Sequence, residues 1–74
     1  MTSVGSLVLL DSLSALNDSA RLRILRVLVQ HELSVGEVAV VIQLPQSTAS
    51  RHLKLLFEAG FVSRRTVGTV GLYR

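Results

Sequence analysis

Between Pro45 and Gly60 the chain gathers side chains whose chemistry suits a nucleic acid: Gln46, Ser47, Thr48, Ser50, Arg51 and Lys54. A glutamine amide can pair with both hydrogen-bonding positions of adenine and a guanidinium with those of guanine, each good pair supplying about 1–3 kcal/mol of discrimination. Gln46 and Arg51 are therefore the candidates for reading bases. Ser47, Thr48 and Lys54 carry the short hydroxyls and the flexible cation that hold phosphate oxygens, and Ser50 lies with them in the first turns of the helix. For Ser47 and Thr48 an equal alternative is that they satisfy free amides at a helix start. At 3.6 residues per turn, Ala49, Leu53, Leu56 and Gly60 share one side and Ser47, Ser50, Arg51, Lys54 and Glu58 the other. One face is built for burial, and the other fits a helix lying in the major groove of a duplex.

A second pair of cations, Arg64 and Arg65, lies downstream. Phosphate contact is one use for them, protection of a strand edge by charge the other. Side chains alternate along a strand, so only one of the two is expected to face a duplex. His52 flanks the apolar side of the Pro45–Gly60 segment and is read as a packed imidazole with one hydrogen bond. Metal binding needs several convergent donors, and the other histidine, His31, is in a different segment. The chain has no cysteine, which removes disulfides, thiolate ligands and a cysteine nucleophile. Asp11 and Asp18 belong to scaffold positions and no glycine-rich phosphate loop is present, so neither catalysis nor a metal or cofactor is expected.

These groups must be positioned by 74 residues, a length that buries only about 60% of the unfolded surface and leaves little stability to spare. The apolar share is 49%, high for a free-standing domain, which predicts that some of it is covered by a second subunit or domain. Net charge is +3 but unevenly placed: residues 1–44 sum to −1 and residues 45–74 to +4. The basic half is the half with the polar-faced helix, as expected of a surface that meets a polyanion. Leu7-Val8-Leu9-Leu10 has no basic residue before it and ends at Asp11, so it fits neither a signal peptide nor a membrane span. A cytoplasmic location is expected.

The spacing predicts a first helix over about 4–16, with one apolar stripe for its own domain and one for a partner. A second follows over 19–30, capped by Asn17 or Asp18, with Leu22, Leu25, Leu28 and Val29 inward and Arg23, Arg26 and Gln30 towards water. Arg21, Arg23 and Arg26 read as a solvated face. His31-Glu32-Leu33 is a break or very short strand. Ser34 and Glu37 form a capping box that starts a helix over 35–42, with Val38, Val41 and Ile42 inward. Pro45 suits the first position of the next helix, and Gly60 its end. Residues 61–66 and 70–74 read as two strands around Val67-Gly68-Thr69. The order is helix, helix, short strand, helix, recognition helix, hairpin: a mainly α domain with a small β-hairpin, the winged helix-turn-helix layout. Residues 1–74 form one domain, with 1–16 a dimerisation helix, 35–59 the helix-turn-helix and 61–74 the wing.

The stretches Leu16–Leu28, Glu32–Val38, Gln46–Leu56 and Glu58–Val62 resemble the ArsR-type family of bacterial winged-helix repressors. The resemblance spans about residues 13–74. It implies a transcriptional repressor in the bacterial cytoplasm and nucleoid, a homodimer that binds double-stranded DNA at an inverted repeat, with an unknown effector and no membrane partner. Two departures stand out. Thiolate-type sensors of this family carry cysteines where Ser34 and Gly36 stand, and neither is a soft-metal ligand. The family also usually continues beyond the wing into a last helix, so the chain reads as a fragment of a longer protein. The alternative is a protein-interaction or regulatory domain attached to a catalytic, methyltransferase-like domain.

Overall fold

A computed structural model describes residues 18–74. The helix expected over 4–16, with its dimerisation role, lies outside the described residues. Helix α1 spans Ser19–Gln30 and starts where Asp18, in extended backbone, accepts hydrogen bonds from the amides of Ala20 (2.8 Å) and Arg21 (3.4 Å). The Ala20 bond is the main reason that the Asp18 carboxyl sits below its ordinary value. Strand β1 is Leu33–Ser34, which overlaps the expected break over 31–33 at Leu33 and runs one residue past it. Helix α2, Val35–Ile42, opens with the reciprocal pair read from the sequence: Ser34 Oγ accepts from the Glu37 amide at 3.2 Å, and the Glu37 carboxylate accepts from the Ser34 amide at 2.9 Å.

Helix α3 spans Gln46–Glu58. Pro45 is not its first residue, as expected, but its cap: ψ is 147°, outside the helical range, while the Pro45 carbonyl accepts the first helical bond from Ala49 at 3.0 Å. Both α2 and α3 end in the same way. After α3, the amides of Gly60 and Phe61 return to the carbonyls of Phe57 (3.1 Å) and Leu56 (2.9 Å), with Gly60 at φ 84°. After α2, the amides of Gln43 and Leu44 return to Val40 (3.3 Å) and Ala39 (3.1 Å), and Gln43 takes the left-handed place at φ 60°. A side chain there is strained where glycine is not.

Strands β2, Arg64–Val67, and β3, Val70–Tyr73, form an antiparallel hairpin closed by Gly68-Thr69, with Gly68 at φ 62°. Glycine with positive φ at the first of two turn residues matches the twist of the flanking strands. The first wing strand is shorter than the expected 61–66. Phe61 is tied into the end of α3, Val62 enters the core, and Ser63 is bonded through its backbone to Arg74. The sheet order is β1-β3-β2, with Leu33 opposite Tyr73 and Arg64 opposite the other side of Tyr73.

Ile24, Leu28, Val38, Ala39, Ile42, Ala49, Leu53, Leu56 and Val62 make the core, with Leu25, Leu33, Val35, Leu44 and Tyr73 packed against it. Two expected inward sets need correction. On α1 the buried stripe runs through Ile24 and Leu28, whereas Leu22 and Val29, seven residues apart and so on one flank, are 42% and 83% exposed. On α2, Ala39 is buried and Val41 is 50% exposed, two positions apart and so on different sides of the helix. Val29, Val40, Val41 and Phe57 leave apolar area outside, in keeping with the apolar excess of the composition.

Gln43→Gly removes a left-handed side chain that is exposed and packs on nothing in the core. It should raise stability by about 0.5–1 kcal/mol, read as a higher thermal midpoint; a lower midpoint would show that Gln43 contributes contacts worth more than its strain. The Glu37 carboxyl is also held below its ordinary value, chiefly by the Ser34 amide. Carboxyls lowered by folding stabilise fully above their ordinary values, 3.8 for Asp18 and 4.5 for Glu37, and lose that contribution as pH falls through the lowered ones. The urea midpoint should therefore decline below about pH 4.5, and Asp18→Asn with Glu37→Gln, which keep both caps, should flatten that decline. An equally steep decline in the double variant would place the acid sensitivity elsewhere.

Candidate nucleic-acid interface

Ala49, Leu53 and Leu56 of α3 are completely buried, and this fixes the helix about its own axis. Gln46, Ser47, Ser50, Arg51, Lys54 and Glu58 are exposed and Thr48 is half-buried, so the polar residues singled out in the sequence share the outer side of one helix. Gly60, expected on the inner side, is exposed and serves the helix end instead. No side chain caps α3, and the hydroxyls of Ser47, Thr48 and Ser50 form no hydrogen bond among the described residues. The alternative use of Ser47 and Thr48, filling free amides at the helix start, is thus not what these side chains do here. Arg51 likewise has no ion pair or hydrogen bond among the described residues. Lys54 lies 4.0 Å from Glu58 in an open i,i+4 pair, too exposed to tie the ammonium down. Gln46 places its Oε1 3.7 Å from where a Cβ on Gly36 would stand, beside the first turn of α2.

His52 is 7% exposed, packed as expected, but its Nδ1 has no hydrogen-bond partner among the described residues. Arg23 departs from the solvated face read for it. Its Nη2 donates to the Ile42 carbonyl at 3.1 Å, occupying an otherwise open acceptor at the end of α2 and tying α1 to the turn that leads into α3. Nineteen residues separate donor and acceptor, so no local spacing announces the bond.

The two wing arginines part company. Arg64 stretches over β3, its guanidinium carbon 5.9 Å from the Tyr73 ring centre and its tip filling the space that a Gly71 side chain would need. Arg65 is held on the other side of the sheet by Glu32, with Nε and Nη2 donating to the two carboxylate oxygens at 2.7 and 2.6 Å. The Arg65 bonds lower the Glu32 carboxyl and the same contact raises the guanidinium, the mutual stabilisation of a two-pronged pair. Glu32 is the residue that sequence reasoning missed, because it was counted with the acidic half of the chain while its partner was counted with the basic half.

Among the described residues no group of three or more histidine, aspartate or glutamate side chains is placed to hold a metal ion. No helix among them is long and apolar enough to cross a membrane.

Against known proteins, residues 18–64 match the family described as bacterial regulatory protein, arsR family. The transcriptional activator HlyU of Vibrio cholerae is 43% identical over 53 residues, which cover 72% of this chain and 49% of that protein. The chain thus spans about half the length of this curated relative. Its fold matches fragment 1–100 of a Mycobacterium bovis protein described as a possible transcriptional regulatory protein, with a TM-score of 0.91, 31% identity, and coverage of 100% of this chain and 80% of the other. A solution structure of a homodimeric winged helix-turn-helix DNA-binding domain from Mycobacterium bovis gives 0.81 at 35% identity, over 99% and 71% of the two chains. HlyU from Vibrio cholerae gives 0.81 at 35% identity, over 97% and 78%. The fold is accordingly the winged helix-turn-helix, and the chain belongs to the arsR family of bacterial regulatory proteins.

Proposed function

We propose that residues 1–74 are the DNA-binding domain of a transcriptional regulator that sets α3 into the major groove and the hairpin beside the adjoining backbone. As a member of a family of regulatory proteins, the chain is not an enzyme. The observation that carries the reading is the outer side of α3, where three hydroxyls and Arg51 have no partner among the described residues, in a segment whose other side is sealed in the core. Unengaged donors of this kind lose little on exchanging water for phosphate oxygens or base edges. Gln46 and Arg51 are assigned to bases, and Ser47, Thr48, Ser50, Lys54 and Arg64 to phosphates. Arg65 reaches a duplex only by leaving Glu32.

A homodimer is proposed on two grounds: the related Mycobacterium bovis domain is homodimeric, and Val29, Val40 and Val41 leave apolar surface exposed on this one. A two-fold dimer calls for an inverted repeat with half-sites about one helical turn apart. Repression by occupancy of such a site, in the bacterial cytoplasm and at the nucleoid, remains the regulatory reading, although the Vibrio cholerae relative is named an activator. The alternative of an interaction module serving a methyltransferase-like domain finds no support among the relatives.

Selection of bound sequences from random duplex DNA supplies the operator and the probe. On it, about six phosphate contacts per dimer should give a log–log salt slope of roughly −5, and an affinity indifferent to salt would refute the proposal. Arg51→Ala should weaken the selected duplex by roughly tenfold or more while changing random duplex much less, since one lost base pairing is worth about 1–3 kcal/mol. Equal losses on both would reassign Arg51 to phosphate.

A further inference from the structure

We infer that Glu32 and Arg65 form a clasp that sets the angle of the wing, so that Arg65 acts on DNA binding through Glu32 and not by holding a phosphate itself. The inference rests on the DNA-binding reading above. In the sheet, β2 is an edge strand whose ladder partner is β3 alone, and its four residues are all exposed. A two-stranded ribbon twists over a wide range, so pairing with β3 does not by itself fix where the hairpin points. Arg65 stands opposite Leu72, and Leu72 opposite Ser34, so a guanidinium that reaches Glu32 must cross the whole width of β3. The bond then joins the outermost strand to the segment that enters β1 and the capping box of α2.

Geometry separates this arginine from its neighbour. Both carboxylate oxygens of Glu32 are engaged, at 2.7 and 2.6 Å, and Glu32 is the more covered partner, 22% exposed against 59% for Arg65. Two parallel bonds fix orientation as well as distance, which is what a strut needs and a mobile phosphate contact does not. Arg64, on the opposite side of the sheet, rests on Tyr73 and the bare backbone of Gly71, contacts that a phosphate can displace. Of the two arginines on β2, one is thus offered and the other holds the hairpin in place while it is offered.

The 74-residue chain and the duplex selected above provide the test, with circular dichroism to confirm that each variant folds. Glu32→Gln and Arg65→Ala should each weaken binding by roughly threefold to tenfold, and the two combined should do no worse than either alone, as coupled residues behave. The exchanged pair, Glu32→Arg with Arg65→Glu, should return to within about twofold of the parent and keep its salt slope, because total charge and the clasp are both preserved. Amide hydrogen exchange in β2 of the free protein should quicken in the single variants and recover in the exchanged pair. Tighter binding by Glu32→Gln would show that Glu32 merely masks Arg65. An exchanged pair that stays weak with a slope smaller by about one unit per protomer would show that Arg65 holds phosphate. Single variants with parental affinity would also overturn the inference. Failure of the parent to bind any duplex would instead sink the DNA-binding reading, and the exchange rates would still decide whether the clasp holds the hairpin.

Discussion

Consecutive residues of an α-helix are separated by about 100° around its axis, so a helix buried along a narrow stripe has one permitted rotation. Ala49, Leu53 and Leu56 define that stripe on α3, and all three are closed off against Ile24, Val38, Ala39 and Ile42. Turning α3 by a single residue in one direction would bring Ser50 and Lys54 into an apolar interior. The cost of burying an unpaired hydroxyl or ammonium exceeds what one methylene more or less contributes. The outward direction of Ser47, Ser50, Arg51 and Lys54 is thus dictated by the residues that cannot be seen from outside. Among the described residues His52 is the one buried polar side chain, its ring packed on the covered side and its Nδ1 without a partner.

Rotation about the axis is only part of positioning; the helix must also enter at a fixed place. Two identical chain reversals provide this, at Gln43-Leu44 and at Gly60-Phe61, each sending two amides back to the preceding turn. The first leads through Pro45 into α3 and the second sends Val62 into the core. Arg23 adds a tertiary restraint at the first of them by bonding the last carbonyl of α2. A turn of so few residues, fixed by backbone bonds at one end, by proline at the other and by a guanidinium from α1, leaves α2 and α3 little freedom to change their mutual angle. That rigidity suits a reading head, whose side chains must keep their spacing against a duplex.

What the sequence discloses and what it hides divide along a physical line. Local devices were legible: a cap at Asn17 or Asp18, of which the structure uses Asp18, the Ser34 and Glu37 box, Gly60 as terminator, Gly68 in the hairpin turn, and helix limits at 19–30 and 35–42. Each depends on groups within a few residues of one another, whose geometry is known before any tertiary contact forms. Pro45 was misplaced by one position because its fixed φ serves a cap and a first turn equally well. Ile24 and Ala39 were passed over for Leu22 and Val41 because hydrophobicity alone does not say which flank of an apolar arc meets a neighbour. Arg23 and Arg65 were read as free cations because their partners, Ile42 and Glu32, are 19 and 33 residues away. A long flexible side chain carries its charge to places that spacing along the chain does not specify.

The Glu32–Arg65 bond also changes the meaning of the charge count. The surplus of the C-terminal half, +4 by formal charge, includes an arginine whose charge is compensated by a carboxylate from the other half. Arg23, counted among the cations of the N-terminal half, keeps its charge but is anchored to a carbonyl at the foot of the helix-turn-helix. Among the described residues, Arg51 of α3, Arg64 beside Tyr73 and Arg74 at the wing's end have no carboxylate partner and Lys54 only a loose one, while Arg26 of α1 is unpaired as well. Field strength close to a surface follows the local arrangement of unpaired charges and is screened beyond about 10 Å at ordinary salt, so this small set outweighs the total. A net charge of only +3 is therefore compatible with a basic surface on α3 and the wing, because five of the eight cations belong to those elements and only Arg65 among them is tightly paired with a carboxylate.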